Sequence, residues 1–494
     1  MGTFDGILSG LSVAFSVQGM LFVLIGVFAG TFIGMMPGLG PISAIAIMIP
    51  LTYNMEPTVA LVLMAGVYYG AVFGGSTSSI LLNAPGISGT VATAFDGYPM
   101  AQNGQAGKAL AIAAISSFAG GTVSVVLLML FAPLLASVAI VFGPPEYFAL
   151  MLLGLTAIAS LSDGSTIKAL ISAVLGLMFV TIGMDSQTGT TRFTFNNSNL
   201  LEGIDFLVIA LGLFAIAEIC NLIVNRKKTI KNQGNIGSLK LSKQDFKEMS
   251  GPMSRQSFLG FILGVLPGAG ATIASFIGYI TEKKIAKRPE EFGKGAVKGI
   301  AAPETANNAA TSGAFVPLLS LGIPGSGTTA VLLGALLVLN VPPGPLLIEE
   351  QPDLFWGVII SMYIGNVFLL ILNLPLIPYI AKVLLIPRPM LISLVIMFSM
   401  IGVYSISFST FDLYLLLAFG VIGYLMKLYN FPAAPLILAF ILGGMMEESF
   451  RQAMTIANDD LTVFFTRPIA LSMLIVALLS FLVPIIRQKK TTSV

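Results

Sequence analysis

An apolar chain that interrupts its own helices twice, with the same motifs in the same order, is restricted to very few folds. Here Pro37-Gly38-Leu39-Gly40 is followed by Asn83-Ala84-Pro85-Gly86, and Pro267-Gly268-Ala269-Gly270 is followed by Gly322-Ile323-Pro324-Gly325-Ser326-Gly327. Proline lacks the N–H that a helix interior needs and glycine permits a sharp reversal, so each motif ends one helix and lets another begin. Within a bilayer a broken backbone survives only where protein or a water-filled cavity satisfies the freed groups. A duplicated set of such breaks points to a solute site of the kind transporters build.

The bilayer itself follows from composition. Hydrophobic residues make up 56% of the 494 positions and charged residues 10%, with a mean hydropathy of +0.93, so a soluble core cannot account for the chain. Apolar stretches of spanning length, such as Leu354 to Leu385, Leu413 to Met426 with its flanks, and Ile469 to Ile486, recur throughout. An all-α polytopic membrane protein embedded in a lipid bilayer is expected. No Lys or Arg precedes Lys108, so the start lacks the basic region of a secretory signal and is expected to belong to the mature fold. The absence of histidine removes imidazole metal ligands, Ser-His catalysis and histidine proton relays together. One cysteine, Cys220, excludes a disulfide framework and a cysteine-rich metal cluster, and reads as a small apolar helix residue. No enzyme activity, organic cofactor or transition metal is expected, and a net charge of +2 gives no mark of a nucleic-acid partner.

One long hydrophilic break, from about Arg226 to Arg255, carries Arg226, Lys227, Lys228, Lys231, Lys240, Lys243, Lys247 and Arg255 against Asp245 and Glu248. The positive-inside rule makes it cytoplasmic. It divides the chain into residues 1–225, a linker at 226–255, and residues 256–494, and the halves read as repeats. A shift of 230 residues carries Gly34, Pro37, Gly38 and Gly40 onto Gly264, Pro267, Gly268 and Gly270. Pro85-Gly86 with Ser88-Gly89-Thr90 matches Pro324-Gly325 with Ser326-Gly327-Thr328 across a one-residue gap. Pro144-Pro145 and Pro387 with Pro389 close a long apolar span in each half, and Asn430 to Asp460 finds no counterpart.

The loop from Thr52 to Glu56 has no basic residue, whereas its counterpart carries Lys283, Lys284, Lys287, Arg288, Lys294 and Lys298. That asymmetry places the two loops on opposite sides, so the repeats are expected to be inverted. Basic residues on both flanks of Phe258 to Ile280 make Pro267-Gly268 the tip of a re-entrant hairpin. Threading the remaining charges puts Lys168, Lys382, Arg388, Lys427, Arg487, Lys489 and Lys490 inside, with Asp185 to Asn199 and Glu447 to Asp460 outside. Two inverted-topology repeats with re-entrant helical hairpins result, with roughly eleven crossings, four re-entrant segments and a cytoplasmic C-terminus.

Helices restarting after each tip aim unpaired N–H groups into the protein and form anion sites, each worth about 0.3 to 1 kcal/mol when exposed and up to roughly 2 when partly buried. Several together would hold a di- or tricarboxylate without a buried cation, and no basic residue is visible near the tips. Hydroxyls and amides gather at the breaks: Ser76, Thr77, Ser78, Ser79, Asn83, Ser88 and Thr90, then Ser326, Thr328 and Thr329. They line a site or glue neighbouring helices. The expected substrate set is Pro37, Gly38, Gly40, Ser43, Ser78, Asn83, Pro267, Gly268, Gly270, Thr272, Asn307, Asn308, Ser326 and Thr328. Unwound carbonyls offer a coupling-cation site at Asn83, Pro85, Gly86, Pro324 and Gly325.

In Pro303 to Gly313, the residues Glu304, Asn307, Asn308, Thr311 and Ser312 share one broad helical face, which is either a cavity lining or an interhelical network. Glu304 alternatively serves as a first-turn acid near the cytoplasmic surface. Glu218 reads as a surface residue before the basic linker, with a proton relay as the alternative, Glu146 as a first-turn carboxylate and Asp163 as part of an N-cap or turn. Glu447, Glu448 and Arg451 are solvated or meet a partner.

With these motifs placed, the chain resembles the large permease subunit of the tripartite tricarboxylate transporter family, TctA-type. The resemblance rests on Gly34 to Gly40, Tyr69-Gly70 through Gly74-Gly75-Ser76, Arg192-Phe193-Thr194-Phe195, Leu266 to Gly270, Pro303 to Asn308, and Pro435 through Leu442-Gly443-Gly444. It implies uptake of carboxylates across a bacterial cytoplasmic membrane by secondary transport coupled to Na+ or H+. It also implies an extracytoplasmic solute-binding protein and a small four-helix membrane subunit as partners. The small subunit is expected as a separate polypeptide, because the chain stops soon after Arg487, and a homo-oligomer is compatible. No Gly-rich piece has the Gly-Lys-Ser/Thr ending of a nucleotide-binding loop, in keeping with secondary transport. A passive anion channel is the first rival and an intramembrane enzyme the second.

Overall fold

The computed structural model describes residues 3–36, 38–161, 165–185, 187–224, 236–268, 270–385 and 388–491, most of them helical. Six helices among them are long and apolar enough to cross a membrane. Two shorter apolar helices, Gly40–Thr52 and Gly327–Val338, begin directly after the first and fourth breaks.

Local sequence sets the helix ends. Pro57–Leu82 starts on Glu56, whose carboxylate accepts from the N–H of Thr58 (3.0 Å) and Val59 (3.1 Å), with Pro57 in the first turn where its missing N–H costs nothing. It stops at Asn83, which caps it in the left-handed conformation at φ +50°. In the second half Gly322 ends Phe315–Leu321 in the same way at φ +69°. Each of these residues precedes its proline by two positions, so the break is built alike in both halves. The other two tips correspond more closely: Gly38, Gly40, Gly268 and Gly270 all take positive φ, at +101°, +64°, +86° and +57°.

Packing repeats with the motifs. Val17–Gly34 lies against Pro57–Leu82 with Gly26, Gly30 and Gly34 on the carbonyls of Leu63, Val67 and Ala71, where an added Cβ would come within 2.4, 2.2 and 2.2 Å of oxygen. Lys243–Val265 meets Val297–Gly313 identically, with Gly260 and Gly264 on the carbonyls of Ala306 and Ala310. Small residues let helix backbones touch, which is how helices associate where lipid removes the hydrophobic drive. A Cβ on Gly86 would strike the Gly34 carbonyl at 2.0 Å, and one on Gly325 would reach the Gly264 carbonyl at 3.0 Å. These contacts put Ile87 opposite Ser326 and Thr90 opposite Thr329, without the one-residue gap that sequence matching inserted. Thr90 and Thr329 each donate to the carbonyl three residues back, Ile87 and Ser326, at 3.0 Å.

The halves interlock. Ala106–Ala139 packs along Val297–Gly313, with Gly120 on the Thr305 carbonyl, while Pro352–Asn373 lies against Val17–Gly34 and Pro57–Leu82. These helices form one bundle. A second contains Pro144–Leu161, Thr166–Val180, the helical run from Phe206 to Val224, Thr410–Leu428, Ala434–Ile456 and Pro468–Thr491. Gly40–Thr52 and Gly327–Val338 lie at the seam, touching each other and both bundles.

Lys243–Val265 is longer than the charge pattern suggested. A capping box between Ser242 and Asp245 starts the helix inside the basic stretch, so the linker's last thirteen residues, from Lys243 to Arg255, are its opening turns. Buried Glu282 accepts from Arg255 (2.6 Å) and Gln256 (2.9 Å), clasping both legs of the Gly268 hairpin. Linker residues 226–235, and Asp163 and Pro387, lie outside the described residues. The polar stretches threaded to one side do meet. Gly183–Met184 and Thr191–Arg192 pair as a short antiparallel ribbon whose Arg192 bonds Glu447 at 2.8 Å, and Arg451 bonds Asp185 at 2.7 Å and Glu447 at 2.6 Å. Glu447 and Arg451 are therefore neither free nor merely solvated.

Candidate functional site

Four breaks from both halves converge on one cavity of about 640 Å³. The first contributes Gly38, Gly40 and Ser43, and the third Gly268, Gly270 and Thr272. The second and fourth add Pro85 and Gly86, then Ser326 and Thr328. The helices Gly40–Thr52, Gly270–Ile285 and Gly327–Val338 all begin at its wall, so their N-terminal dipole ends share one space. The tips are also bonded to one another. The Gly268 N–H donates to the Gly325 carbonyl (2.9 Å), and the Ser88 and Thr272 hydroxyls lie 2.7 Å apart across the two halves. Ser43 donates to the Phe214 carbonyl at 3.3 Å, tying the first tip to the second bundle.

Other expected residues are held elsewhere. Ser78 is buried and donates to the Gly75 carbonyl at 3.1 Å. Asn83 is an exposed helix cap, and Pro267, Pro324 and Gly325 are not among the residues that line the cavity. Asn307 and Asn308 are fully buried in Val297–Gly313, and Asn307 backs Gly89, where a Cβ would meet its Oδ1 at 2.7 Å. Pro37 lies outside the described residues. The polar face carrying Glu304 is an interhelical network: Glu304 is fully buried and accepts from Ser76 (2.7 and 2.8 Å), Thr93 (2.5 Å) and Ser117 (2.8 Å). It is therefore not a first-turn acid at the surface.

One expectation is overturned outright. A basic residue does stand at the tips: the Lys427 ammonium lines the cavity, paired with the carboxylate of Glu218. Glu218, expected at the surface, is buried, also accepts from Asn221 (3.0 Å), and lies against Gly38. Both charges sit near the ends of apolar helices, 209 residues apart, where no spacing rule joins them. Ammonium pairing offsets part of the desolvation cost of the carboxylate. Tyr68, Phe214 and Phe431 complete the wall and were equally unmarked in the sequence.

A cavity walled by broken helices inside a bundle of apolar spans marks a multi-pass membrane protein with an internal cavity. The chain belongs to the tripartite tricarboxylate transporter TctA family, whose pattern matches residues 20–438. That is a family of transporter subunits, not of enzymes, and its members work beside other subunits. An uncharacterized 52.8 kDa protein in the TAR-I ttuC' 3'region of Agrobacterium vitis is 47% identical over 484 residues, covering 97% of this chain and 96% of the relative. An uncharacterized protein in the TAR-II ttuC' 3'region of the same organism is 48% identical over 234 residues, covering 47% of this chain and 97% of the relative. No solved structure matches the chain.

Proposed function

We propose that this chain is the large permease subunit of a binding-protein-dependent carrier that takes up di- or tricarboxylates by ion-coupled secondary transport. Its membrane is the bacterial cytoplasmic membrane, the coupling ion Na+ or H+, and its partners a small four-helix subunit and an extracytoplasmic solute-binding protein. The observation that carries this reading is the meeting of four helix breaks and Lys427 around one cavity. Helix N-termini and an ammonium together suit an anion with two or three carboxylates. A carboxylate reaching Lys427 competes with Glu218 for the same ammonium, so substrate binding is an exchange of partners rather than a new burial of charge.

Duplicated tips with opposite loop charges support an inverted-repeat arrangement of roughly eleven crossings with a cytoplasmic C-terminus. The two bundles support relative motion across the seam at Gly40–Thr52 and Gly327–Val338. In the native host, deletion of this chain should abolish concentrative uptake of at least one labelled carboxylate from a panel, and complementation should restore it. Uptake that only equilibrates would instead fit a passive anion channel. Impermeant labelling of cysteines at Thr52 to Glu56 and Lys283 to Lys298 should report opposite sides, and the same side would end the inverted-repeat reading.

A further inference from the structure

Two buried carboxylates outside the tip cavity are held in chemically different ways. Asp96 accepts from Tyr279 (2.9 Å) and from the backbone N–H groups of Gly293 (2.9 Å), Gly295 (2.8 Å) and Ala296 (2.7 Å). Three of those four donors are backbone N–H groups converging on Oδ1, and a backbone N–H only donates. Glu304 accepts from three hydroxyls, those of Ser76, Thr93 and Ser117. A hydroxyl donates to a carboxylate or accepts from a carboxylic acid with equal ease. The Glu304 cradle is therefore satisfied in either protonation state, and none of the ion pairs among the described residues includes it.

A second observation points the same way. Two of the three hydroxyl residues, Ser76 and Ser117, also line a separate chamber of about 10 Å³ with Thr77 and Asn373. That is room for about one water. Asn373 is buried and its Oδ1 has no protein partner, so the chamber offers a water an acceptor on one side and the Glu304 hydroxyls on the other. Leu110 forms part of the chamber wall two residues from Lys108, which pairs with Asp245 at 2.7 Å on the side of the basic linker.

The charged and titratable groups on the helices packed around Glu304 are engaged elsewhere or lie toward the surface. Asp96 is cradled as above, Lys108 pairs with Asp245, Arg255 with Glu282, and Tyr69 bonds Ser312. Tyr68 borders the tip cavity. Lys298, Tyr98 and Glu248 are half-buried, and Lys243, Lys247, Lys283 and Lys284 are exposed.

Resting on the transport reading above, we infer that Glu304 is the proton-binding site of this carrier, exchanging its proton through the one-water chamber. The step is a simple protonation: a solvent proton passes by way of the chamber water and a serine hydroxyl to a carboxylate oxygen, and the acid O–H then donates to one of the three hydroxyls. Loading neutralises a buried charge while a polyanion occupies the tips nearby, which links proton and anion movement without a metal ion.

Infrared titration of the purified chain in lipid nanodiscs tests this without requiring transport. Wild type should show a buried carboxylic-acid C=O band that appears as pH falls and is missing from Glu304→Gln. Removing one donor with Ser117→Ala weakens the ionised form most, so the band's titration midpoint should rise by about one pH unit. This second variant decides the matter if Glu304→Gln does not fold. A wild-type band that is insensitive to pH, a Ser117→Ala midpoint equal to wild type, or a band displaced by Na+ at fixed pH without proton uptake would each overturn the assignment. In the complemented host, Glu304→Gln should lose accumulation yet keep exchange of labelled for unlabelled carboxylate, and full accumulation with the wild-type pH profile would also overturn it. Failure of the wild-type chain to restore any uptake would sink the transport reading and leave the infrared result standing.

Discussion

Gly38 and Gly40 stand two residues apart on one tip, line one cavity and both hold positive φ, yet alanine should affect them very differently. At Gly40, φ is +64° and a Cβ would meet nothing within 4 Å. Gly40→Ala therefore carries only the left-handed backbone cost of about 1 kcal/mol. At Gly38, with φ at +101°, the Cβ would lie 2.2 Å from Glu218 Oε1. That carboxylate is the end of a flexible side chain, but Lys427 and Asn221 pin it. Displacing it gives up charge-assisted bonds worth about 1.5 to 3 kcal/mol. The lower end applies here, because the Lys427 side chain is 46% exposed and water replaces part of the lost pairing. Because φ +101° lies beyond the left-handed well, Gly38→Ala should thus cost at least about 2.5 kcal/mol in all, against about 1 for Gly40→Ala, a gap of at least roughly tenfold in the population of the intact site. Uptake in the complemented host, normalised to membrane expression, should show Gly40→Ala mildly reduced and Gly38→Ala nearly inactive. Adding Glu218→Ala to Gly38→Ala removes the clash, so the double variant should be less damaged than the two single effects combined. Equal losses at the two glycines, or strict additivity in the double variant, would refute the account of Gly38 as the residue that makes room for Glu218.

Three further outcomes follow from the same geometry. Thr328→Ala should weaken uptake several-fold, whereas Asn83→Gly, which keeps the left-handed cap, should leave it near wild type in the same assay. Asp185 lies in the ribbon between spans, and the Thr188 N–H together with Arg451 holds its carboxyl well below the usual carboxylate range. A depressed native value stabilises above the ordinary carboxylate value and is lost only as pH falls through the lowered one, so limited proteolysis should find the ribbon intact until strongly acid pH; Asp185→Asn should open it at neutral pH. A cysteine pair cross-linked between Gly40–Thr52 and the facing helix of the second bundle should arrest uptake in one state, and full uptake with the cross-link complete would rule out motion across that seam.

Much of the fold could be read from the breaks, because Pro and Gly act locally: the four tips and their repetition depend on residues adjacent in sequence. What stayed hidden depends on distance. Glu218 and Lys427 each look like ordinary charges at the ends of apolar helices, and only the folded chain brings them to Gly38. Asn83 offered an amide at a break, but backbone geometry uses it as a cap, a role Gly322 shares without any side chain. Glu304 offered a cavity lining, an interhelical network or a surface first turn, and the sequence left them open because its three hydroxyl partners come from three separate segments of the first half; the network is what forms. The helix start at Lys243 was masked by charge, because a capping box is a weaker signal than the dense basic stretch around it.

The glycines that seat Val17–Gly34 on Pro57–Leu82, and Lys243–Val265 on Val297–Gly313, bring backbone directly onto backbone at those positions. Main chain resting on main chain has no rotamers to repack, and any methyl group added there would push the helices apart. Point substitution at these seats is therefore costly. Evolutionary change in what such a carrier accepts must be written instead into side chains around the cavity rim, such as Tyr68, Phe214, Phe431 and the Lys427–Glu218 pair. Relatives that share every tip motif can on this basis differ widely in substrate, and the rim, not the motif, is where a difference in diet should be sought.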